Sequence, residues 1–202
     1  MPRLTPRHFS LNSHLGACPA CQGLGTEPFC DPSLIVDEDL PLLPMEKGAI
    51  RPWRTSDKRM GNYYRQVLEA LGDMTGVAPE LPFRDLPEVF KEKLFHGTGG
   101  EEIPKLGKGF EGLVPMVERQ MKTSESELKK NRLKAFFARK PCSLCGGTRL
   151  RPEILGVTIT GPDDREWNID RFCALPASEA LSVMSGLQLS PTDRKITSDL
   201  LR

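Results

Sequence analysis

The sequence predicts an α+β fold in which an irregular zinc-knuckle module, with four cysteine ligands, carries an inserted domain. That domain is mixed but largely helical, and a strand–helix segment ends the chain. Two observations support this fold. Two Cys-x-x-Cys motifs, each followed within two residues by glycine, lie 120 residues apart. Eighteen prolines and eighteen glycines among 202 residues favour many turns and short elements over a bundle of long helices.

The two cysteine motifs predict one closed metal site. They read Cys-Pro-Ala-Cys at residues 18–21 and Cys-Ser-Leu-Cys at residues 142–145. In such a knuckle both thiolates point to one side of a tight turn, and the trailing glycines let backbone N–H groups approach the sulfurs. Two facing knuckles complete the tetrahedron of four thiolates that is typical of structural zinc. We therefore expect one zinc ion to be bound by Cys18, Cys21, Cys142 and Cys145.

Other interpretations of these cysteines are less favoured. A redox dithiol is expected as a single motif in a βαβ context. Disulfides require an oxidising compartment, and no apolar signal segment precedes Cys18. A catalytic zinc needs an open coordination position, and four thiolates leave none. His14 could substitute as a ligand, whereas Cys30 and Cys173 lack a nearby cysteine and are expected to be small buried residues.

Charge is segregated along the chain although the totals nearly balance, with 28 Lys+Arg against 27 Asp+Glu. Residues 27–46 hold six acidic residues and no basic one, whereas residues 119–151 hold ten basic residues and two acidic ones. Basic clusters can contact DNA phosphates, but a charge run on a helix can also be ordinary solvated surface. The candidate DNA-binding residues are Arg119, Lys122, Lys129, Lys130, Arg132, Lys134, Arg139, Lys140, Arg149 and Arg151.

No apolar run approaches the length that spans a membrane, so we expect a soluble, cytoplasmic protein.

The first fifty residues predict few regular elements. Residues 9–12 form a strand-like run that leads into the first knuckle. Residues 26–54 are acidic and rich in proline, which predicts an irregular segment, and residues 34–36 are its expected buried anchor.

Two helices are predicted in the middle of the chain. Asn62 is expected to cap the first, whose Tyr63, Val67 and Leu71 are spaced i, i+4, i+8 along one face. A second apolar stripe, formed by Val89, Phe90, Leu94 and Phe95, ends at Gly97, the type of residue that commonly ends a helix.

The region before the second knuckle predicts a loop and two more helices. Residues 98–109 are rich in glycine and predict a mobile loop. A helix follows over residues 115–122. Ser124-x-x-Glu127 forms a capping box, which predicts a last helix that ends near residue 138 and runs directly into the second knuckle.

Beyond the second knuckle the pattern predicts a hairpin and two helices. Residues 154–160 and 166–170 are the expected strands, joined by a turn at residues 161–164. The first helix is predicted over residues 177–184. The second begins at Pro191, is capped by Ser190 and runs to the end of the chain.

The two knuckle runs resemble the UvrA family, the DNA-damage-sensing ATPases of bacterial nucleotide excision repair. The first run is RHFSLNS followed by GACPACQGLG in residues 7–25. The second is FEGLVP, ER and TSES in residues 110–126, followed by PCSLCGGTRLRPE at residues 141–153. Weaker landmarks lie between them in the family's order: GAIRPW, YY and LFHG. The resemblance covers nearly the whole chain.

This resemblance implies a domain organisation. Residues 1–25 would be the first half of the zinc module and residues 139–155 its second half. Residues 26–138 would be the mobile insertion domain. Residues 156–202 would begin the signature domain of an ABC-type ATPase half.

The resemblance also implies a function, namely binding to damaged duplex DNA, mainly through sequence-independent phosphate contacts. Family members are dimeric ATPases of the excinuclease complex that hand DNA to UvrB. Neither a G-x-x-x-x-G-K-[ST] phosphate loop nor a Leu-Ser-Gly-Gly signature occurs here. We therefore expect no enzymatic activity of this segment alone, with ATP and Mg²⁺ used only by the full-length family protein and UvrB bound through regions absent here.

A second class of function stays open at this point. Cys-x-x-Cys-x-Gly repeats also occur in chaperone-type zinc modules of J-domain proteins, which hold unfolded clients. Those modules use four repeats close together, whereas this chain has two far apart. A protein-interaction scaffold without DNA binding is the corresponding alternative.

Overall fold

The computed structural model describes residues 3–43, 45–103 and 106–198. The chain forms two compact units. The first, which we call the cysteine unit, comprises the residues up to Glu27 together with those from Arg139 onward. The second, the helical unit, comprises Pro28–Ala138. The helices and strands, numbered in chain order, are β1 (Thr26–Cys30), α1 (Pro32–Ile35), α2 (Lys58–Thr75), α3 (Glu88–His96), α4 (Leu113–Thr123), α5 (Glu127–Leu133), β2 (Phe137–Pro141), α6 (Pro152–Leu155), β3 (Ile159–Thr160), β4 (Glu166–Trp167), α7 (Ile169–Cys173), α8 (Ala177–Gly186) and α9 (Pro191–Thr197).

The mixed α+β class is confirmed. The sheets in the described part of the chain are small, with β1 paired to β2 and β3 paired to β4. Short 3₁₀ helices connect the longer elements, at Pro6–Phe9, Met45–Lys47, Arg51–Trp53, Phe83–Asp85 and Lys134–Phe136. No helix in the described ranges combines the length and the apolar character that crossing a membrane requires.

The core of the helical unit is built around an aromatic stack beside α2. The rings of Trp53 and Tyr64 lie parallel with centroids 4.1 Å apart, and Phe110 meets Trp53 edge-on at 6.4 Å. Val67 and Leu71 of α2 are fully buried, as the predicted apolar face requires. Large aromatic rings bury much apolar surface in fixed geometries, so this stack positions the N-terminal half of α2.

Helix α2 is longer than the sequence pattern predicted. It begins after Asp57, whose carboxylate accepts the Met60 N–H at 2.8 Å, and it ends at Gly76 in the left-handed conformation. The prediction that Asn62 caps this helix was wrong, because Asn62 lies inside it. Both residues are of a type that often caps helices. Only Asp57 precedes the first turn, where backbone N–H groups lack a partner within the helix.

Helices α3 and α4 meet the predictions closely. Helix α3 ends at Gly97 as expected, although Val89 of its predicted apolar stripe is 63% exposed. Helix α4 starts two residues earlier than predicted, after Gly112. Gly97 and Gly112 pass so close that a Cβ on Gly112 would lie 2.6 Å from the Gly97 nitrogen.

The glycine-rich stretch between α3 and α4 contains no helix or strand among its described residues, 98–103 and 106–109. It is nevertheless anchored to the core, since Ile103 is fully buried and its N–H donates to the Lys108 carbonyl at 3.1 Å. The predicted loop also includes residues 104 and 105, which lie outside the described residues.

Both ends of the last helix predicted before the second knuckle were wrong. Ser124 follows α4 as its C-terminal cap, and the side chain of Ser126 caps α5 by accepting the Lys129 N–H at 3.4 Å. The helix stops at Leu133 instead of residue 138. A 3₁₀ turn and then β2 lead into the second knuckle, because pairing with β1 satisfies the backbone there in a way that local sequence does not reveal.

The cysteine unit has little regular structure around its knuckles. The predicted strand at residues 9–12 was wrong, since a 3₁₀ helix occupies Pro6–Phe9. The region predicted as the strand 154–160 contains α6 and only the short β3. The turn at residues 161–164 is confirmed, and β3 pairs antiparallel with β4.

The last helices of the cysteine unit agree with the pattern more closely. Residues 169 and 170, predicted as strand, begin α7. Helix α8 runs two residues further than predicted, and Ser190 caps α9 by accepting the Asp193 N–H at 3.2 Å. Residues 199–202 of the predicted last helix lie outside the described residues. Cys173, expected to be buried, is exposed at the end of α7, whereas Cys30 is buried as expected.

Candidate metal centre and nucleic-acid interface

Four cysteine side chains converge in the cysteine unit. Their sulfur atoms all lie within 4.8 Å of one another, and all four residues are buried. The Sγ atoms of Cys18 and Cys142 are 3.9 Å apart, and those of Cys21 and Cys145 are 3.8 Å apart. These are the four cysteines predicted from the motifs, and His14 does not join the cluster within the described residues.

Backbone hydrogen bonds hold the two knuckles together. The Cys18 N–H donates to the Arg149 carbonyl at 2.9 Å, and the Arg151 N–H donates to the Gly16 carbonyl at 2.9 Å. On the other side, the Cys142 N–H donates to the Gly25 carbonyl at 3.0 Å. The two chain segments, remote in sequence, are thus joined on both sides of the cysteine cluster.

The glycines after each cysteine pair carry the tight turns. Gly23 and Gly25 after the first knuckle, and Gly146 and Gly147 after the second, all have positive φ. The Gly25 N–H donates to the Cys21 sulfur at 3.2 Å, which is the N–H-to-sulfur contact expected from the motif.

Burial and hydrogen bonding act in opposite directions on the thiols. Burial raises the pKa of the Cys18 thiol to about 11. Burial also works to raise the pKa of Cys21, but the Gly25 N–H and the neighbouring thiols outweigh it and lower that pKa to about 7. This cluster of four buried thiols could bind a cation. A cation favours the thiolate form, and the lowered pKa of Cys21 acts in the same direction.

The spacing of the sulfur atoms fits zinc. Four thiolates at the usual Zn–S distance in a tetrahedron would place their sulfurs about 3.8 Å apart. Two of the six sulfur–sulfur distances, 3.8 and 3.9 Å, match that spacing, and all four sulfurs lie within 4.8 Å of one another. Both distances far exceed a disulfide bond of about 2.05 Å, and the cysteines are unbonded to one another. The four sulfurs would fill a tetrahedral shell, so such an ion would be structural, with no position open for a substrate.

Glu27 supports the second knuckle, although the cysteine motifs give no indication of it. Its carboxylate accepts the N–H and the hydroxyl of Ser143 at 3.2 and 3.1 Å and pairs with Lys140 at 3.4 Å. The hydrogen bonds from Ser143, followed by the contact with Lys140, hold the pKa of Glu27 below its ordinary value. The acidic segment to which Glu27 belongs gave no sign of this contact, because it depends on β1 lying beside β2.

Two of the candidate DNA-binding arginines brace the cysteine unit. The Arg149 Nε donates to the Gly23 carbonyl at 2.8 Å, and an Arg151 guanidinium nitrogen donates to the His14 carbonyl at 3.2 Å. Arg149 also has a positive φ of 71°, which is uncommon for a residue with a Cβ. These guanidinium groups are used for contacts between the two knuckle segments.

Arg139 and Lys140 lie on β2 and contact β1. The Arg139 Nε donates to the Thr26 hydroxyl at 2.8 Å, and Lys140 pairs with Glu27. Both side chains remain exposed. The cysteine unit therefore holds four of the ten candidate cations, each of which has a contact within that unit.

The helical unit holds the other six candidate cations, and their side chains fall into two groups. Three have a partner: Arg119 pairs with Glu111, Lys130 pairs with Glu127, and Lys134 donates to Asn131. The pKa of Arg119 is raised by its hydrogen bonds to Glu111. The side chains of the other three are exposed and make no hydrogen bond or ion pair with the described residues: those of Lys122, Lys129 and Arg132.

The chain resembles known proteins along its whole length. A family profile described as the UvrA DNA-binding domain matches residues 31–135. The UvrABC system protein A of Thermus thermophilus is 36% identical over 214 residues, which cover all of this chain and 22% of that relative. The protein of the same name from Methanothermobacter thermautotrophicus is 35% identical over 209 residues, covering 98% of this chain and 21% of the relative. The chain thus spans about a fifth of the length of these relatives.

A solved structure shares the fold. The crystal structure of UvrA2 from Deinococcus radiodurans aligns with a TM-score of 0.57 over all of this chain and 26% of that protein. The sequence identity in this alignment is 22%, so this likeness bears on the fold alone.

Proposed function

We propose, from the fact that this chain belongs to the UvrA DNA-binding domain family, that it is a zinc-stabilised DNA-binding part of a nucleotide excision repair ATPase. The observation that carries the proposal is the match of the family profile to residues 31–135, which make up nearly the whole helical unit. The domain organisation expected from the resemblance, with an insertion domain at residues 26–138 and the start of a signature domain at residues 156–202, is part of the same proposal.

The role of the metal is structural. One Zn²⁺ bound by Cys18, Cys21, Cys142 and Cys145 adds folding free energy to a unit that has little regular structure around its knuckles and whose helices α7, α8 and α9 bury none of their described residues. It also holds the two ends of the inserted segment together, because Cys21 precedes that segment and Cys142 follows it. The ion has no part in chemistry, since four thiolates complete its shell.

DNA binding is assigned first to the exposed cations of α4 and α5. Lys122, Lys129 and Arg132 have no acidic partner among the described residues, so no ion pair has to break before they contact phosphates. Phosphate contacts carry no sequence information, which suits a protein that surveys any duplex for damage. Arg149 and Arg151 are assigned a bracing role in place of the expected phosphate contacts, because their guanidinium groups bind backbone carbonyls.

The longer protein supplies the remaining functions in this proposal. ATP and Mg²⁺ binding, dimerisation and the transfer of DNA to UvrB belong to regions beyond this chain. Recognition of damage itself is a property of that assembly, to which the helical unit contributes duplex contacts.

The test is duplex binding by the 202-residue chain, measured by fluorescence anisotropy at several salt concentrations. Affinity should fall steeply as salt rises, because bound cations release the counterions of DNA. The double variant Lys129→Ala/Arg132→Ala should bind more weakly and lower the slope of log K against log salt by about one for each lost phosphate contact.

The matched control removes the same charge from another helix. Lys91→Ala/Lys93→Ala changes two partly buried lysines of α3, which pair with Glu88 and Glu101. This variant should retain the wild-type slope. Equal slopes for all three proteins, or no duplex binding even at low salt, would contradict the assignment to α5.

A further inference from the structure

A cleft in the helical unit combines an aromatic ring with cationic side chains. It has a volume of about 370 Å³, within the range of about 300–1,000 Å³ that is usual for small-ligand sites. Its walls come from the first two turns of α2, the loop before α4, and α4 itself. The residues that matter for its chemistry are Arg59, Tyr63, Lys108, Glu111 and Arg119.

Tyr63 provides a rigid, half-buried ring at this cleft. It leans on Tyr64 with ring centroids 5.6 Å apart, and Tyr64 is in turn stacked on the buried Trp53. The ring is therefore held in place by the core behind it. An aromatic ring fixed in this way is a stacking platform, which any nucleobase can use because every base has a flat π face.

A flexible side chain lies over the ring of Tyr63. The Lys108 ammonium lies 5.1 Å from the centre of that ring. The Lys108 backbone is fixed, since its carbonyl accepts the N–H of the fully buried Ile103 at 3.1 Å. The side chain can therefore move off the ring while its origin stays at the edge of the cleft.

The charges around the ring favour a ligand with phosphates. Arg59 lies one helical turn before Tyr63, on the same face of α2, and is exposed without a described partner. Lys108, whose ammonium lies over the ring, adds a second cation to the wall of the cleft. Among the described residues of the wall Glu111 is the one carboxylate, and both of its oxygens already accept hydrogen bonds from the Arg119 guanidinium.

We propose that this cleft binds an unpaired nucleotide of a single strand, with its base stacked on Tyr63 and its phosphates held by Arg59 and Lys108. The Lys108 ammonium lies over the ring of Tyr63 when no base is bound. When a base stacks there, the side chain moves and contacts a phosphate. The inference rests on the proposed function only in taking nucleic acid as the ligand. It assigns a second site, distinct from the exposed cations of α4 and α5 to which duplex phosphates are assigned.

The test compares two single strands that differ only in their bases. The 202-residue chain is titrated into a labelled oligothymidylate and into an abasic strand of the same length, with fluorescence anisotropy as the readout. Oligothymidylate should bind more tightly, on the order of ten-fold, because only it can stack. Tyr63→Ala should remove this difference, whereas Tyr63→Phe, which keeps the ring, should retain it.

Arg59→Ala provides a variant that keeps the ring and the core. Arg59 is exposed, so the fold should be unchanged, and binding of both strands should weaken by the same factor. Equal binding of the two strands by the wild-type chain would overturn the proposal, and so would a thymidylate preference that survives in Tyr63→Ala.

The duplex serves as the third ligand and separates this proposal from the proposed function. Duplex affinity should be unchanged in Tyr63→Ala and reduced in Lys129→Ala/Arg132→Ala. Duplex binding without any preference for thymidylate would overturn the cleft assignment alone, whereas a thymidylate preference without duplex binding would overturn the proposed function alone.

Discussion

Gly25 contacts both halves of the cysteine cluster. Its N–H donates to the Cys21 sulfur and its carbonyl accepts the Cys142 N–H. It has a φ of +77°, and a Cβ there would lie 2.9 Å from the Gly147 carbonyl oxygen. Glycine is thus required at this position both by backbone conformation and by the close approach of the second knuckle.

At the residue scale, Cys142→Ser should remove one zinc ion per chain and lower the free energy of unfolding by more than about 4 kcal/mol, because three thiolates no longer close the shell. Elemental analysis of the purified chain and urea unfolding measure the two effects. The control is Cys173→Ser, which changes an exposed cysteine outside the cluster and should affect neither. A Cys142→Ser chain that keeps stoichiometric zinc would contradict the assignment of the ligands.

At the scale of the element, α2 shows how a local signal can be misplaced. Two good capping residues, Asp57 and Asn62, lie five positions apart. The apolar spacing starting at Tyr63 favoured Asn62, but the helix extends a full turn further toward its N-terminus. That extra turn carries Arg59 and thereby supplies one wall of the cleft.

The two candidate caps make a direct test. Asp57→Ala should cost about 1 kcal/mol, because the Met60 N–H loses its acceptor. For a chain of this size that corresponds to a fall in Tm of roughly 2–4 °C. Asn62→Ala should cause no loss, since Asn62 lies inside the helix, where alanine has the higher propensity.

Thermal unfolding followed by circular dichroism measures both changes. A larger loss for Asn62→Ala than for Asp57→Ala would show that α2 begins at the later residue in solution.

At the scale of the whole molecule, the buried side chains are distributed unevenly. Helix α2 contributes six buried residues, whereas none of the described residues of α7, α8 and α9 is buried. Ile159, Leu181 and Ile196 are large apolar side chains that remain between 46 and 66% exposed. Because these helices bury so few side chains, the free energy of opening them locally is expected to be small.

Hydrogen exchange should therefore differ between these regions. Amides in the interior of α8 should exchange orders of magnitude faster than those of α2 around Val67 and Leu68, which are fully buried. Mass spectrometry after a series of labelling times measures this difference. Equal protection of α8 and α2 in the isolated chain would contradict this prediction, because it would require α8 to be packed as tightly as α2.

Some features could be predicted from the sequence because their signals are local. The paired cysteines with trailing glycines identified all four members of the cluster. Gly97 and Ser190 marked the end of α3 and the start of α9, since each depends only on the adjacent backbone. The family resemblance followed from the same knuckle runs and is confirmed.

The remaining features depend on residues that are far apart in the sequence. Strand β2 was predicted as helix, because only its pairing with β1 satisfies that backbone. The contact of Glu27 with Ser143 and the meeting of Arg59, Tyr63 and Lys108 likewise join separate segments. The sequence by itself determined which cysteines cluster and to which family the chain belongs. Only the tertiary structure decided which basic side chains bind carbonyls or carboxylates and which have no such partner among the described residues. The sequence specifies the charges, but packing determines which groups lie next to them.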